Sequence, residues 1–213
     1  MYKSFLKRFF DIALSLCAIM ILFVPMALIA IAIKLTSRGP VLFTQLRAGK
    51  NNKPFKILKF RTMRTDAPGN EPTRALDNVE KWTTPVGKVL RKTGIDELPQ
   101  IFNILAGQMS FVGPRPVVAK HEDLIRLRTE NGASDIRPGL TGWAQINGRD
   151  RIPDSKKAEL DGEYAKRLSG GFFSGLFMDI RCLLGTLPAI LRTDSASVSA
   201  NEIADEKTTE EVI

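Results

Sequence analysis

The chain has 213 residues, 44% of them hydrophobic, and a formal charge of +8. That length suits one compact domain with an anchor and is too short for two full domains. The positive balance points to acidic partners (phosphates, nucleic acid or an anionic membrane), while two cysteines, Cys17 and Cys182, exclude a disulfide framework and suit a reduced compartment.

Between Ile12 and Ile33 there is no charged residue. As a helix, about 22 residues would extend about 33 Å, close to the roughly 30 Å of a bilayer core. A secretory signal would have a shorter apolar region followed by a small-residue cleavage site. Two features argue against a simple crossing. Lys3, Lys7 and Arg8 precede the run, while Lys34, Arg38, Arg47 and Lys50 follow it, so both flanks prefer the cytoplasm. Pro25 lies near the middle, lacks a backbone donor, and predicts a kink or break. The arms on either side, residues 11–24 and 26–33, would reach about 21 and 12 Å, lengths that fit one leaflet. The favoured reading is a re-entrant membrane helix over residues 1–36. A kinked single span and a buried core helix are the alternatives.

Residues 41–47 (VLFTQLR) and 55–61 (FKILKFR) are rich in β-formers and flank turn material, which predicts a β-hairpin. Residues 65–78 are polar, with Pro68, Gly69 and Pro72, and predict a loop. A short helix is expected over 84–92, starting near Pro85. Leu98, Ile101, Phe102 and Leu105 recur at i, i+3, i+4 and i+7, an amphipathic helix with Gly107 at its C-terminal cap. Pro99 belongs in its first turn, which puts Asp96 at or beside the N-cap and Glu97 in the first turn. VGPRP, residues 112–116, is extended because residues before proline avoid helix. Residues 117–130 read as a helix and 137–149 (RPGLTGWAQINGR) as a Gly-rich loop with close backbone approach. Residues 155–168 predict a polar helix. Residues 172–191 are apolar, but Asp179 and Arg181 argue against a second span; a helix lying at the membrane surface and a core-facing helix fit equally. Residues 194–213 hold six acids against one lysine and no aromatic residue, an acidic disordered tail. The expected fold is mostly α with a small β-hairpin. It is membrane-anchored by the N-terminal re-entrant helix, with amphipathic helices at the membrane interface. The expected divisions are 1–36 for the anchor, 37–193 for a cytoplasmic catalytic domain, and 194–213 for the tail.

Asp96 and Glu97 are the first chemical candidates. Locally, an N-cap and a first-turn acid are the simplest reading. The functional reading is that a helix N-terminus lowers the pKa of a nearby acid, keeping it ionised as nucleophile or metal ligand. Free N–H groups there can hold a phosphate, and a carboxylate can attack phosphorus to form an acyl phosphate. Lys59, Arg61, Arg91, Lys92, Arg115, Arg137 and Arg149 supply cations, and the planar guanidinium matches phosphate oxygens. Arg115, locked between prolines, reads as functional. Lys3, Lys7, Arg38 and Lys50 read as surface charge near anionic lipid. His121, the single histidine, reads as a surface helix residue, and no zinc site follows from it. Nucleic-acid binding has only the net charge in its favour and no motif.

KRFFDIALS, GPVLFTQLRAGKNNKPFKILKFRTM, DELPQIFNILAGQMSFVGPRP and RPGLTGWAQINGR together resemble the bacterial sugar transferase family. These are the monotopic phosphoglycosyl transferases that start polyprenyl-linked glycan assembly. The resemblance runs from about Lys7 to about Arg192, and the chain looks like the small form without an added membrane bundle. It implies that Asp96 is the nucleophile that takes the sugar phosphate and releases UMP. Glu97 would assist by activating the polyprenyl phosphate, which then attacks the aspartyl intermediate in a ping-pong scheme. Mg2+ would be held by Asp96 and Glu97. Lys59, Arg91 and Arg115 would hold phosphates, and Arg137 with Gln145 the nucleotide end. The implied partners are a UDP-sugar, polyprenyl phosphate and membrane lipid, with no nucleic acid; a homodimer is left open. The implied place is the cytoplasmic face of the bacterial inner membrane. A non-catalytic, basic membrane-bound member of a glycan assembly complex is the competing reading. One departure stands out: Val24 precedes the membrane proline, Pro25, where relatives often carry serine.

Overall fold

The computed structural model describes residues 2–67, 79–148 and 151–189. A π-helical turn, Tyr2–Leu6, leads into the long helix α1, Lys7–Thr36. Strands β1 (Leu42–Ala48) and β2 (Pro54–Phe60) follow. Next come α2 (Val79–Trp82), α3 (Pro85–Thr93), α4 (Gln100–Leu105) and β3 (Ser110–Val112). The remainder is α5 (Glu122–Glu130), β4 (Gly139–Thr141), α6 (Trp143–Ile146), α7 (Asp154–Ser169) and α8 (Phe172–Ala189). The fold is mostly helical, as expected, with two small two-stranded sheets instead of one hairpin. Part of the predicted 65–78 loop, Arg149, and the acidic tail lie outside the described residues.

Helix α1 stays helical through Pro25, so the chain does not divide there into two separate helices. A proline removes one donor from the ladder, and the remaining bonds of a 30-residue helix carry it across. Both ends of α1 pack on the rest of the chain. Near its start, Asp11 accepts hydrogen bonds from Ser110 Oγ (3.0 Å) and the Phe111 amide (3.1 Å). Arg8 donates to the carbonyls of Ile104 and Leu105 at the C-terminal end of α4, where the Ile104 carbonyl also accepts the Gly107 amide at 3.0 Å. Lys7, read from the sequence as surface charge, is buried and pairs with Asp179 of α8 at 2.7 Å. Tyr2 and Tyr164 hydroxyls donate to the same carboxylate, each at 2.6 Å. Burial of a cation requires such a partner, and the partner lies 172 residues away, where no local pattern reveals it. Near the other end, Met26 and Ile33 form an apolar cluster with Phe60 and Leu90. The middle of α1 stays exposed: Met20, Ile21, Phe23, Val24 and Leu28 all face outward.

The hairpin pairs antiparallel from Leu42↔Phe60 to Ala48↔Pro54, within one residue of its predicted bounds. Asn51 and Asn52 make its turn at positive φ, which asparagine tolerates. Helix α3 starts at Pro85 as predicted, capped by Thr84, whose hydroxyl accepts the Gly87 amide at 3.0 Å. Residues 117–121 are not helical, and α5 begins only at Glu122. Helix α8 carries the apolar residues Phe173, Phe177, Ile180, Leu184 and Leu187 on one exposed face, at helical spacing. Its opposite face, with Met178, Asp179 and Cys182, is buried. The core-facing reading of this segment therefore holds for the buried face, while the other face is apolar and exposed. Helices α1 and α8 are long and apolar enough to cross a membrane.

Candidate active site

Gly94 ends α3 in the left-handed region (φ 70°), and the chain turns at once into a 3-10 turn, Ile95–Glu97. Glycine adopts that backbone without steric cost. Ile95 and Leu98, on either side of the acid pair, pack against the Met26, Ile33, Phe60 and Leu90 cluster. The two acids are thereby held against the second half of α1.

Glu97 Oε1 receives two cations, Lys59 Nζ at 2.6 Å and Arg115 Nη2 at 2.9 Å. Lys59 comes from β2 and Arg115 from the extended segment after β3. Asp96 is treated differently. Lys59 Nζ is 4.0 Å from its Oδ2, beyond hydrogen-bond range. The electrostatics diverge accordingly. Burial raises the Asp96 carboxyl above the usual aspartate range; Lys59 opposes this and the Glu97 charge adds to it. Burial also works against the charge on Glu97, but Arg115 and Lys59 outweigh it and hold the carboxyl well below its ordinary value. Arg91, exposed in the last turn of α3, acts on Asp96 through its charge.

Two expectations need correction. Asp96 is not an N-cap: α4 begins at Gln100 and Pro99 occupies the cap position. A six-residue helix displaced by three residues exerts little dipole on the carboxylate, and burial sets its pKa instead. The buried face of α4 also differs from the predicted apolar stripe. Gln100, Ile101, Asn103 and Ile104 are buried and Phe102 is exposed. Asn103 is drawn inward because its amide bonds the Leu58 N–H (2.9 Å) and the Lys56 carbonyl (2.8 Å), tying α4 to β2.

The structure brings Asp96, Glu97, Lys59 and Arg115 together, with Arg91 nearby. It places Arg137 and Gln145 elsewhere. Arg137 Nε donates to the Gly107 carbonyl (2.8 Å), beyond the opposite end of α4. Gln145 is buried and donates to the Leu140 carbonyl (2.9 Å). The Gly-rich segment that contains them is not a plain loop. Its β4 pairs in parallel with β3, and Trp143–Ile146 forms a helical turn. A Cβ on Gly139 would sit 2.1 Å from the Gly113 amide nitrogen, and one on Gly142 2.1 Å from the Gly113 carbonyl oxygen. These glycines press the segment against the VGPRP strand and so help to place Arg115. Arg61, another sequence candidate, bonds Ser37 at the C-terminal end of α1 (2.9 Å to the carbonyl, 2.6 Å to Oγ).

Arg47 was missed as a site residue because the sequence presents it only as a flanking charge. Its Nη1 donates to the Pro116 carbonyl (3.3 Å) and its Nη2 to Gln45 (2.6 Å). Burial and the nearby Arg115 push its pKa down to about 10, with Glu97 opposing. The two-residue spacing of Gln45 and Arg47 on one strand face was the available signal.

A magnesium site can be judged from the donors. Mg2+ binds one or two protein carboxylates plus substrate phosphates and water. Asp96 and the second oxygen of Glu97 fit that pattern. No group of three or more His, Cys, Asp or Glu side chains stands together among the described residues.

Two acids on a tight turn, backed by cations from a strand and a proline-locked segment, form a charged cluster beside a helix whose apolar middle is exposed. The family model for bacterial sugar transferases matches residues 2–193, and the chain belongs to that family. It is 41% identical over 174 residues to the UDP-glucose:undecaprenyl-phosphate glucose-1-phosphate transferase of Escherichia coli K12, covering 78% of this chain and 37% of that protein. It is 37% identical to the uncharacterized sugar transferase EpsL of Bacillus subtilis, with 96% of each chain covered. An Aeromonas hydrophila UDP-N-acetylgalactosamine-undecaprenyl-phosphate N-acetylgalactosaminephosphotransferase is 38% identical over 88% of this chain and 44% of its own length. The chain thus spans less than half of each of the two relatives with a stated activity.

Proposed function

We propose that this chain transfers a sugar-1-phosphate from a UDP-sugar to undecaprenyl or another polyprenyl phosphate and releases UMP. The observation that carries the proposal is the unequal treatment of the two acids. Glu97 is committed to Lys59 and Arg115, whereas Lys59 stands 4.0 Å from the Asp96 carboxylate. An acid that Lys59 does not hold at hydrogen-bond range and whose pKa burial raises is the better nucleophile. An Asp96 oxygen bonds to the sugar-bearing phosphorus, the bond from that phosphorus to the bridging oxygen breaks, and UMP leaves with the electron pair. A phosphate oxygen of the polyprenyl acceptor then attacks the same phosphorus. The Asp96 carboxylate departs, giving a polyprenyl diphosphate sugar. Lys59, Arg91 and Arg115 neutralise phosphate oxygens, as phosphoryl transfer requires. Mg2+, when bound by Asp96 and Glu97, would neutralise diphosphate charge.

The membrane reading is part of the same proposal. In this reading helix α1 bends at Pro25 inside the cytoplasmic leaflet while staying helical, and returns, and the exposed face of α8 lies in the interface. Supporting this, residues at both ends of α1 pack on the same body, and both flanks are cationic.

A panel of UDP-sugars assayed for UMP release with undecaprenyl phosphate tests the activity. Intact mass after donor alone tests the covalent step, because an adduct of one sugar phosphate should form without acceptor. Asp96→Asn should lose both signals. Sustained turnover in that variant would refute the nucleophile assignment.

A further inference from the structure

The segment that carries Arg115 has an unusual problem of support. Pro114 and Pro116 have no N–H, so much of its anchoring must come through carbonyl oxygens. Four successive carbonyls are each taken by a donor. Pro114 receives the Gly139 amide at 2.9 Å and Val117 the Ala48 amide at 2.9 Å. Between them, Pro116 receives Arg47 Nη1 at 3.3 Å and Arg115 receives Arg128 Nη1 at 2.9 Å. The outer two donors are backbone groups fixed by β4 and β1. The inner two are guanidinium groups, and the carbonyl of Arg115 itself rests on the better of them.

Arg128 is 6% exposed and sits in the last turn of α5. Its Nε and Nη2 both donate to Oδ2 of Asp161 on α7, at 2.8 and 2.6 Å. Asp161 is 1% exposed, and its Oδ1 has no partner. A carboxylate that leaves one oxygen bare in the interior is poorly explained as a stabilising device, since a buried ion pair seldom outperforms apolar side chains of the same shape. It is well explained as the orienter of a guanidinium whose remaining nitrogen has work elsewhere. Helices α5 and α7 are close enough for this because Gly162 leaves room for Asn131; a Cβ there would lie 2.8 Å from the Asn131 side chain.

We infer that Arg128 and Asp161 are positioning residues that hold the Arg115 backbone so that its guanidinium meets Glu97 and the substrate phosphate. The inference rests on the phosphoryl-transfer reading of the site. Neither residue touches substrate; both act through Arg115.

The test is a mutant cycle read by kcat/KM for UMP release, with the donor that the panel identifies and undecaprenyl phosphate. Replacing the pair together, Arg128→Met with Asp161→Leu, removes both charges at similar volume, so the thermal midpoint should stay near that of the parent. We expect kcat/KM to fall about 10- to 100-fold, the scale of a small displacement of a catalytic group. In an Arg115→Ala background the same replacement should cause no further loss. An equal fold-loss in both backgrounds, or no loss in either, would overturn the inference while leaving the site intact. If Arg115→Ala alone left UMP release unchanged, the site reading would fall and this inference with it. Where the double replacement does not fold, Arg128→Lys takes its place in the cycle. It keeps a charge against Asp161 but cannot also span to the Arg115 carbonyl.

Discussion

Replacing Glu97 by glutamine keeps the shape of the side chain and removes its charge. In the native site one oxygen of Glu97 receives Lys59 at 2.6 Å and Arg115 at 2.9 Å, with the side chain only 15% exposed. Hydrogen bonds to a charged group contribute about 1.5–3 kcal/mol, and neutral ones about 0.5–1.5 kcal/mol. Downgrading two of them therefore costs roughly 2–3 kcal/mol, or roughly 5–10 °C in thermal midpoint for a chain of this size. The pH dependence has a defined sign. The folded-state pKa of Glu97 is depressed, so its stabilisation is present above the ordinary glutamate range and is lost as pH falls through the depressed value. Glu97→Gln should flatten that acid loss of stability. Asp96 responds in the opposite sense. Its raised pKa is sustained partly by the Glu97 charge, and Lys59, released from Glu97, is already 4.0 Å away. The acid limb of the kcat profile should therefore move to lower pH, while kcat falls about 100-fold as Lys59 engages the nucleophile and Arg115 loses its anchor. Thermal unfolding in detergent, followed from neutral pH down below the ordinary glutamate range, and UMP release across about pH 4–8, where a carboxyl raised above the aspartate range titrates, measure the two effects. An unchanged midpoint with an unmoved acid limb would refute the account of the acid pair.

Gly139→Ala should be severe, because the added Cβ meets backbone atoms at 2.1 and 2.4 Å that cannot rotate away; a loss of about 1–3 kcal/mol and of most UMP release is expected. Thr84→Ala removes the α3 cap and should cost about 1 kcal/mol, visible as a midpoint drop of about 2–4 °C with activity retained at low temperature. Phe173→Asp combined with Leu184→Asp alters an exposed face; flotation with anionic liposomes should weaken while circular dichroism stays unchanged.

Much of the architecture can be read from local pattern. The charge-free run, the hairpin, Pro85 at a helix start and Gly107 past a helix end each depend on residues close in sequence, and all appear in the structure. The acid pair and its cations were legible too, since DELPQ, KFR and GPRP carry the chemistry in their residue types. The buried face of α4 was not, because Asn103 is pulled inward by strand groups 45 and 47 residues earlier.

The amino-acid order by itself determined where α3 begins, where α4 ends and which side chains carry charge, because caps, turns and ionisable groups act over a few residues. Tertiary structure alone decided which of two adjacent acids is bound and which is free. It also decided that Lys7 would be interior and that Arg47 would join the site. Burial and long-range pairing set those outcomes, and both depend on segments that are distant along the chain and meet only when it folds.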